Sequence, residues 1–232
     1  MKKIRCILFD IDDTLYDASL QMSTARLNAI RAMIEAGLPT DIETAYRTLQ
    51  DIVKEYGPDY NKHFDKLLER LGLKWNPRVI AAGVAAYRET SSAYVKPYSD
   101  TVPTLLKLRD MEYQLGIVSE GRAVKQWQKL IQLGIQHLVH FVIISEEIGI
   151  ETMHPELFKL ILKELKAQPN EAIFVGNQLD PDILCANKAN VISVRIRKGE
   201  SRTEEPKSTE MIPKYEINKL WEILKILEEF EA

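Results

Sequence analysis

Cysteine is nearly absent. Cys6 and Cys185 are the two in 232 residues, and both lie inside apolar runs. Two thiols cannot staple a disulfide framework, and without a Cys-x-x-Cys pair the chain has neither a zinc knuckle nor a dithiol redox centre. They point instead to a reducing compartment. Charge of one sign is also lacking: 31 Lys and Arg stand against 34 Asp and Glu, a net charge of −3. A duplex-binding surface needs a basic excess or stripe, so no nucleic-acid partner is expected. Long hydrophobic runs are missing too. The first apolar run is cut after a few residues by Asp10, Asp12 and Asp13, which fits neither a secretory signal nor a membrane span. The expectation is a soluble cytoplasmic protein with no membrane partner. What is present is 45% hydrophobic and 28% charged residues, the balance of a folded globular chain. At this length about 70% of the extended surface is buried, enough for a core without staples.

Residues 4–9 read as a short buried strand that stops at Asp10. The chain then changes character. Ala25, Leu27, Ala29, Ile30, Met33 and Ile34 recur at helical spacing over 22–36, and Gly37 and Pro39 end the run. Further helices are predicted over 41–56, 60–71 and 77–94, the last opened by Pro77. After Lys96-Pro97 helices and strands alternate: helix 102–109, strand 113–118, helix 123–133, strand 141–144, helix 155–165, strand 172–175, helix 182–189 and strand 191–195. The stretch 200–214 reads as a loop of limited stability, and 216–230 as a final amphipathic helix through Ile217, Leu220, Ile223, Leu224 and Leu227. Alternation of this kind means a parallel sheet covered on both faces. The expected fold is therefore a doubly wound α/β core from 1–16 and 96–232. A four-helix insertion, 17–95, leaves it after the first strand, at the end where such sheets bind ligands. Trp127 is expected to face the sheet, Trp221 to pack the final helix on the core, and Trp75 and Tyr87 to pack within the insertion or shape a pocket there.

The densest chemistry lies in Asp10-Ile11-Asp12-Asp13-Thr14. In an extended segment Asp10 and Asp12 point the same way. Neighbouring carboxylates repel, so each keeps its charge only beside a cation, and a hard ion such as Mg²⁺ takes oxygen ligands of this kind, commonly with substrate phosphate. Asp10 as nucleophile with Asp12 as acid and base is one reading; an acidic turn in which Asp13 caps a helix is the other. Ser119-Glu120-Gly121 ends a second strand, where Ser119 and the following amides could meet a phosphate at a helix N-terminus or form a plain cap. A third strand ends in Val175-Gly176-Asn177. Asn177 and Asp182 are plausible metal contacts, while Asp180 or Asp182 equally fits a helix cap.

Leu8-Phe9-Asp10-Ile11-Asp12-Asp13-Thr14-Leu15-Tyr16 resembles the DxDxT motif of haloacid dehalogenase-like hydrolases in their phosphatase branch. Ser119-Glu120-Gly121 resembles the second motif, and Val175 to Asp182 the fourth. The likeness spans essentially the whole chain and reaches archaeal members of about this length, some of them glyceraldehyde 3-phosphate phosphatases. It implies a Rossmann-like core with a helical cap, an Mg²⁺ cofactor and a small phosphorylated metabolite as substrate. Asp10 is implied as the aspartyl-phosphate nucleophile and Asp12 as acid-base and carbonyl ligand to the metal. Thr14, Ser119, Glu120 and Gly121 are implied around the phosphate, with Asp10, Asp12, Asn177 and Asp182 around the metal.

Two positions depart from that pattern. Where relatives carry Lys-Pro in the third motif, this chain has Thr152-Met153, and the first aspartate of the fourth motif is Asn177. Four carboxylates and one lysine make −3 in the usual site. Asp10, Asp12 and Asp182 alone also make −3, so the two losses conserve charge while removing a phosphate clamp and a ligand. Arg122, Lys125 and His154 are the candidates to compensate. Two functions follow, a phosphomonoester hydrolase or a catalytically impaired relative that binds a phosphorylated ligand or partner. A dehalogenase is disfavoured, because Asp12 serves an oxygen leaving group. A phosphomutase would need a cap that retains its bisphosphate. Monomer and dimer stay open.

Overall fold

The computed structural model describes residues 3–58 and 60–231. The chain divides into two compact units, one made of Met1–Ser19 with Val95–Ala232 and the other of Leu20–Tyr94. Residues 1 and 2 of the expected core, and residue 232, lie outside the described residues.

The first unit is built on six parallel strands: β1 (Cys6–Phe9), β2 (Gln114–Ser119), β3 (Phe141–Ile144), β4 (Ala172–Gly176), β5 (Ile192–Ile196) and β6 (Tyr215–Ile217), in spatial order β3-β2-β1-β4-β5-β6. Every residue of β1 is buried, because a central strand covered on both faces has no polar side to alternate with. Cys6 and Leu8 pack with Phe158, Ile161, Leu162 and Phe174 on one face, where the Phe158 and Phe174 rings meet edge-on at 4.8 Å. Burial pushes the Cys6 thiol up to about 12 and Cys185 to about 11, so both cysteines serve as apolar packing rather than nucleophiles.

The second unit holds α1 (Ala18–Glu35, entered from the first unit), α2 (Ile42–Tyr56), α3 (His63–Arg70) and α4 (Pro77–Tyr94). Asp41 caps α2 by accepting from the Thr44 amide at 2.8 Å, and Asn76 caps α4 ahead of Pro77, both signals of a helix start. Ile30, Met33, Leu49, Ile52, Leu67, Leu68 and Val79 form its core. Trp75 falls in the connection between α3 and α4 rather than in a helix. It is exposed, donates to Asp65 at 2.9 Å, and lines a cavity of about 340 Å³ with Leu68 and Leu73. Tyr87 packs edge-on against Phe64.

The remaining helices of the first unit are α5 (Thr101–Asp110), α6 (Ala123–Gln132), α7 (Pro155–Glu164), α8 (Leu184–Lys188) and α9 (Ile223–Glu231). Three expectations need correction. Residues 216–230 are not one helix: Glu216 and Ile217 belong to β6, and α9 starts only at Ile223. A three-residue edge strand has too few side chains to show a period, and Ile217 happens to fall in helical phase with Leu220. The segment 182–189 is helical as expected: it opens at the end of a wide π-type turn over Leu179–Ile183 and continues as α8 to Lys188. Trp127 does not face the sheet; Gln126 and Leu130 do, and the half-buried indole donates to Glu147 at 2.9 Å. Trp221 is exposed under Lys225, while Leu220, Ile223 and Leu227 cover the core.

The stretch 200–214 is also firmer than its composition suggests. Arg195, fully buried in β5, donates to the Ser201 carbonyl at 2.6 Å, the Glu204 carbonyl at 2.8 Å and Glu216 Oε1 at 3.3 Å. Asn187 holds the far end through the carbonyls of Glu210 and Ile212. Arg195→Met removes the charged donor and leaves those acceptors unpaired, so it is expected to cost about 3 kcal/mol of stability. It should also expose Arg202 and Lys207 to trypsin. Urea denaturation and limited proteolysis check both, and an unchanged cleavage rate would refute the clasp.

Candidate active site

Three of the parallel strands end in polar residues at one edge of the sheet. Asp10 follows β1, and its amide continues the ladder to the Val175 carbonyl of β4 at 3.0 Å. The carboxyl group is therefore fixed at the sheet edge, 5% exposed. Ser119 is the last residue of β2 and donates through Oγ to Asp10 Oδ1 at 3.2 Å. Beyond Asp10 the chain turns sharply, with the Leu15 amide on the Ile11 carbonyl at 3.0 Å and Asp13 at φ 53°. Asp13 accepts from the Ser19 amide and hydroxyl, so it caps α1 as the plainer reading of the acidic turn has it. It also packs against Gly199 so closely that a Cβ there would stand 2.2 Å from Asp13 Oδ2.

At the end of β4, Gly176 allows Asp182 to fold back over the strand. A Cβ at 176 would lie 2.6 Å from Asp182 Oδ2. That oxygen accepts from the amides of Asn177 and Gln178, both at 3.0 Å. Asp182 is thus buried in the site, while Asp180 is exposed. Among the described residues, the Asn177 Oδ1 and Thr14 Oγ1 atoms are buried with no hydrogen-bond partner, and Asn177 is 1% exposed. A buried oxygen without a donor calls for a ligand, an ion or a water.

The electrostatics point the same way. Burial, then the neighbouring Asp182 and Asp12 carboxylates, push the Asp10 carboxyl well above its ordinary range. Burial pushes Asp182 up to about 7 against its two amide bonds, helped by Glu120 and Asp12. Burial and Asp12, to which it hydrogen-bonds, raise the Tyr16 phenol. Charging such a cluster is costly until a cation joins it. No three His, Cys, Asp or Glu side chains converge as a metal cluster among the described residues. The available donors are two carboxylates and the orphaned Asn177 amide oxygen. Oxygen donors of that kind fit Mg²⁺.

Around the phosphate positions the structure differs from expectation. The Gly121 amide is taken by Ser145 Oγ at 3.0 Å, and the Ala123 amide at the start of α6 by Glu146 at 2.7 Å. The helix N-terminus already holds an anion, so Gly121 is not free for phosphate. Glu120 turns its carboxylate to the Met153 amide at 2.7 Å; a proline at 153 would have no N–H to give. Thr152 is exposed. His154 caps α7 by accepting from the Glu156 amide, and Arg122 and Lys125 are exposed.

A cation that reaches the cluster is one the sequence pattern passed over. Lys129 of α6 lies 2.6 and 2.8 Å from the two Asp12 oxygens. Its place on α6, three residues past the buried Gln126 and one before the buried Leu130, puts it on the flank of the inward face. That signal was available in the periodicity. With Glu120 near Asp182 and Lys129 beside Asp12, the fully ionised cluster counts four carboxylates and one lysine.

Comparison with known proteins adds to this geometry. The sequence model of the family described as haloacid dehalogenase-like hydrolase matches residues 7–196. The chain is 50% identical over 228 residues to the glyceraldehyde 3-phosphate phosphatase of Methanopyrus kandleri, covering 97% of this chain and 98% of that one. It is 40% identical to the protein of the same name from Methanocaldococcus jannaschii, with 97% of each covered. The magnesium-bound crystal structure of the Bacillus subtilis HAD-hydrolase YfnB has the same fold, with a TM-score of 0.70 at 23% identity over 97% of this chain and 99% of that one.

The folded carboxyl of Asp182 titrates above its unfolded value of about 3.9, so the fold favours its protonated form. The contribution of Asp182 to the stability of the metal-free protein is therefore fully present below that unfolded value and is lost as pH rises through about 7. Thermal melts at pH 5 and pH 8 should show that loss. Asp182→Asn should lessen it, and Mg²⁺ should restore the wild type at pH 8. A wild-type slope that persists undiminished in Asp182→Asn would assign the loss to other groups.

Proposed function

Because the chain belongs to the haloacid dehalogenase-like hydrolases, we propose that it is an Mg²⁺-dependent phosphomonoesterase working through a phosphorylated Asp10. The observation that carries this reading is the pairing at one strand end of a sealed carboxyl, Asp10, with a second and more accessible one, Asp12. A nucleophile gains from a fixed, desolvated position. A group that passes protons to and from oxygen needs access to them.

In this scheme an Asp10 oxygen attacks phosphorus while the bond to the leaving oxygen breaks, and Asp12 gives that oxygen its proton. Asp12 then takes a proton from water as the water oxygen attacks phosphorus, the Asp10–phosphorus bond breaks, and inorganic phosphate departs. Ser119, already bonded to Asp10, is placed to orient the phosphoryl group, and Thr14 to brace the turn. Asp10, Asp182, Asn177 Oδ1 and the Asp12 carbonyl would hold Mg²⁺, which when bound offsets phosphoryl charge. The names of the archaeal relatives support glyceraldehyde 3-phosphate, or an ester of similar size, as substrate.

A second reading rests on Thr152 and Asn177, which supply neither the charge nor the fourth carboxylate of the family pattern. In it the chain binds a phosphorylated ligand without turnover. Phosphate release from p-nitrophenyl phosphate and glyceraldehyde 3-phosphate, with and without Mg²⁺, separates the two. Magnesium-dependent turnover that falls about 10³-fold or more in Asp10→Asn is expected. Wild-type protein that is folded yet no faster than Asp10→Asn on either ester moves the assignment to the binding reading. Asn177→Asp should tighten Mg²⁺ binding by adding a charged ligand, as read by titration calorimetry.

A further inference from the structure

The carboxylate cluster gathers Asp10, Asp12, Asp182 and Glu120 at one sheet edge. A phosphate ester brought there adds up to two further negative charges. Neutral donors such as Ser119 position such an anion but do not balance it, and the residue at 152 is an exposed threonine. Lys129 lies within salt-bridge distance of the cluster at Asp12. Its charge is felt at Asp10 as well as at Asp12. It stands on α6 between Gln126 and Leu130, both buried, and retains only 21% side-chain exposure. A lysine on an exposed helix face would spend its time in water; this one is held where an incoming anion would meet it.

We propose that Lys129 is the phosphoryl-contacting cation of this site, supplied from α6 in place of the third-motif lysine that position 152 lacks. With no anion bound the ammonium group rests on Asp12. When a phosphoryl group enters, it turns to the phosphoryl oxygens, a displacement within reach of a flexible four-carbon stem. There it opposes the charge that spreads over the equatorial oxygens during transfer. Withdrawal from Asp12 also leaves that carboxyl unencumbered. The lysine forms and breaks no covalent bond. Glu120 fits the same exchange: its carboxylate is held by the Met153 amide, so the segment that carries the lysine in relatives is tied down here as neutral backbone.

This assignment rests on the phosphatase reading for its catalytic meaning, but its test is binding. Inorganic phosphate is titrated calorimetrically into the Mg²⁺-loaded protein. Lys129→Met should weaken phosphate at least about tenfold, the cost of one lost charged contact, and lower turnover about 10²-fold. Lys129→Arg should retain most of the affinity. Adding Thr152→Lys to Lys129→Met should recover much of what was lost. Lys129→Gln, which keeps the stem and a donor, serves if the methionine variant does not fold.

In an Asp12→Asn background, Lys129→Met should still weaken phosphate. If its effect vanishes there, the lysine acts only through Asp12 and direct contact is refuted. Folded Lys129→Met or Lys129→Gln with wild-type phosphate affinity overturns the proposal, as does a wild type that binds no phosphate. A wild type that binds phosphate through Lys129 yet hydrolyses neither ester sinks the phosphatase reading alone.

Discussion

Repulsion among buried carboxylates is the constraint around which this protein is arranged. Asp10 and Asp182 sit out of water within each other's field, with Asp12 and Glu120 close by. Left alone they would protonate or separate. The fold prevents separation. Asp10 continues a ladder whose neighbours on both sides are buried strands, and Asp182 is pinned by two backbone amides that act only because Gly176 carries no side chain. The cluster is kept together, an arrangement that favours a cation beside it.

The rest of the first unit can be read as support for that placement. A parallel sheet sends all its strands out at one edge, so residues far apart in the chain, 10, 119 and 177, arrive together. The turn after β1 is locked by Asp13 on Ser19 and by the close passage of Gly199. Arg195 and Asn187 hold the long 200–214 stretch against the sheet from its two ends. The buried Asp13 and Arg195 and the half-buried Asn187 find most of these partners in backbone amides or carbonyls, the arrangement in which burial of polarity is tolerated.

Read along the chain, Thr152 and Asn177 depart from the pattern that the sequence resembles; what surrounds each is decided in three dimensions. In the structure Met153 offers its amide to Glu120, Lys129 approaches Asp12, and Asn177 keeps a buried oxygen with no partner. Charge balance is a property of a volume of space, so it can be met from any element that borders that volume.

Much of this protein was legible in its sequence. The alternation of strands and helices determined the parallel sheet, and apolar runs ending at Asp10, Ser119 and Asn177 marked its polar edge, because periodicity and strand ends are local facts. Helix starts at Asp41 and Pro77 were legible for the same reason. The short strand β6 and the true start of α9 were not, since three residues carry no period. Nor did the sequence show that Glu146 caps α6 and that Ser145 takes the Gly121 amide, that Arg195 clasps the 200–214 stretch, or that Lys129 meets Asp12. Those contacts join residues distant in the chain, and only the crossing of β1 beside β2 and the packing of α6 decide which side chains share a neighbourhood.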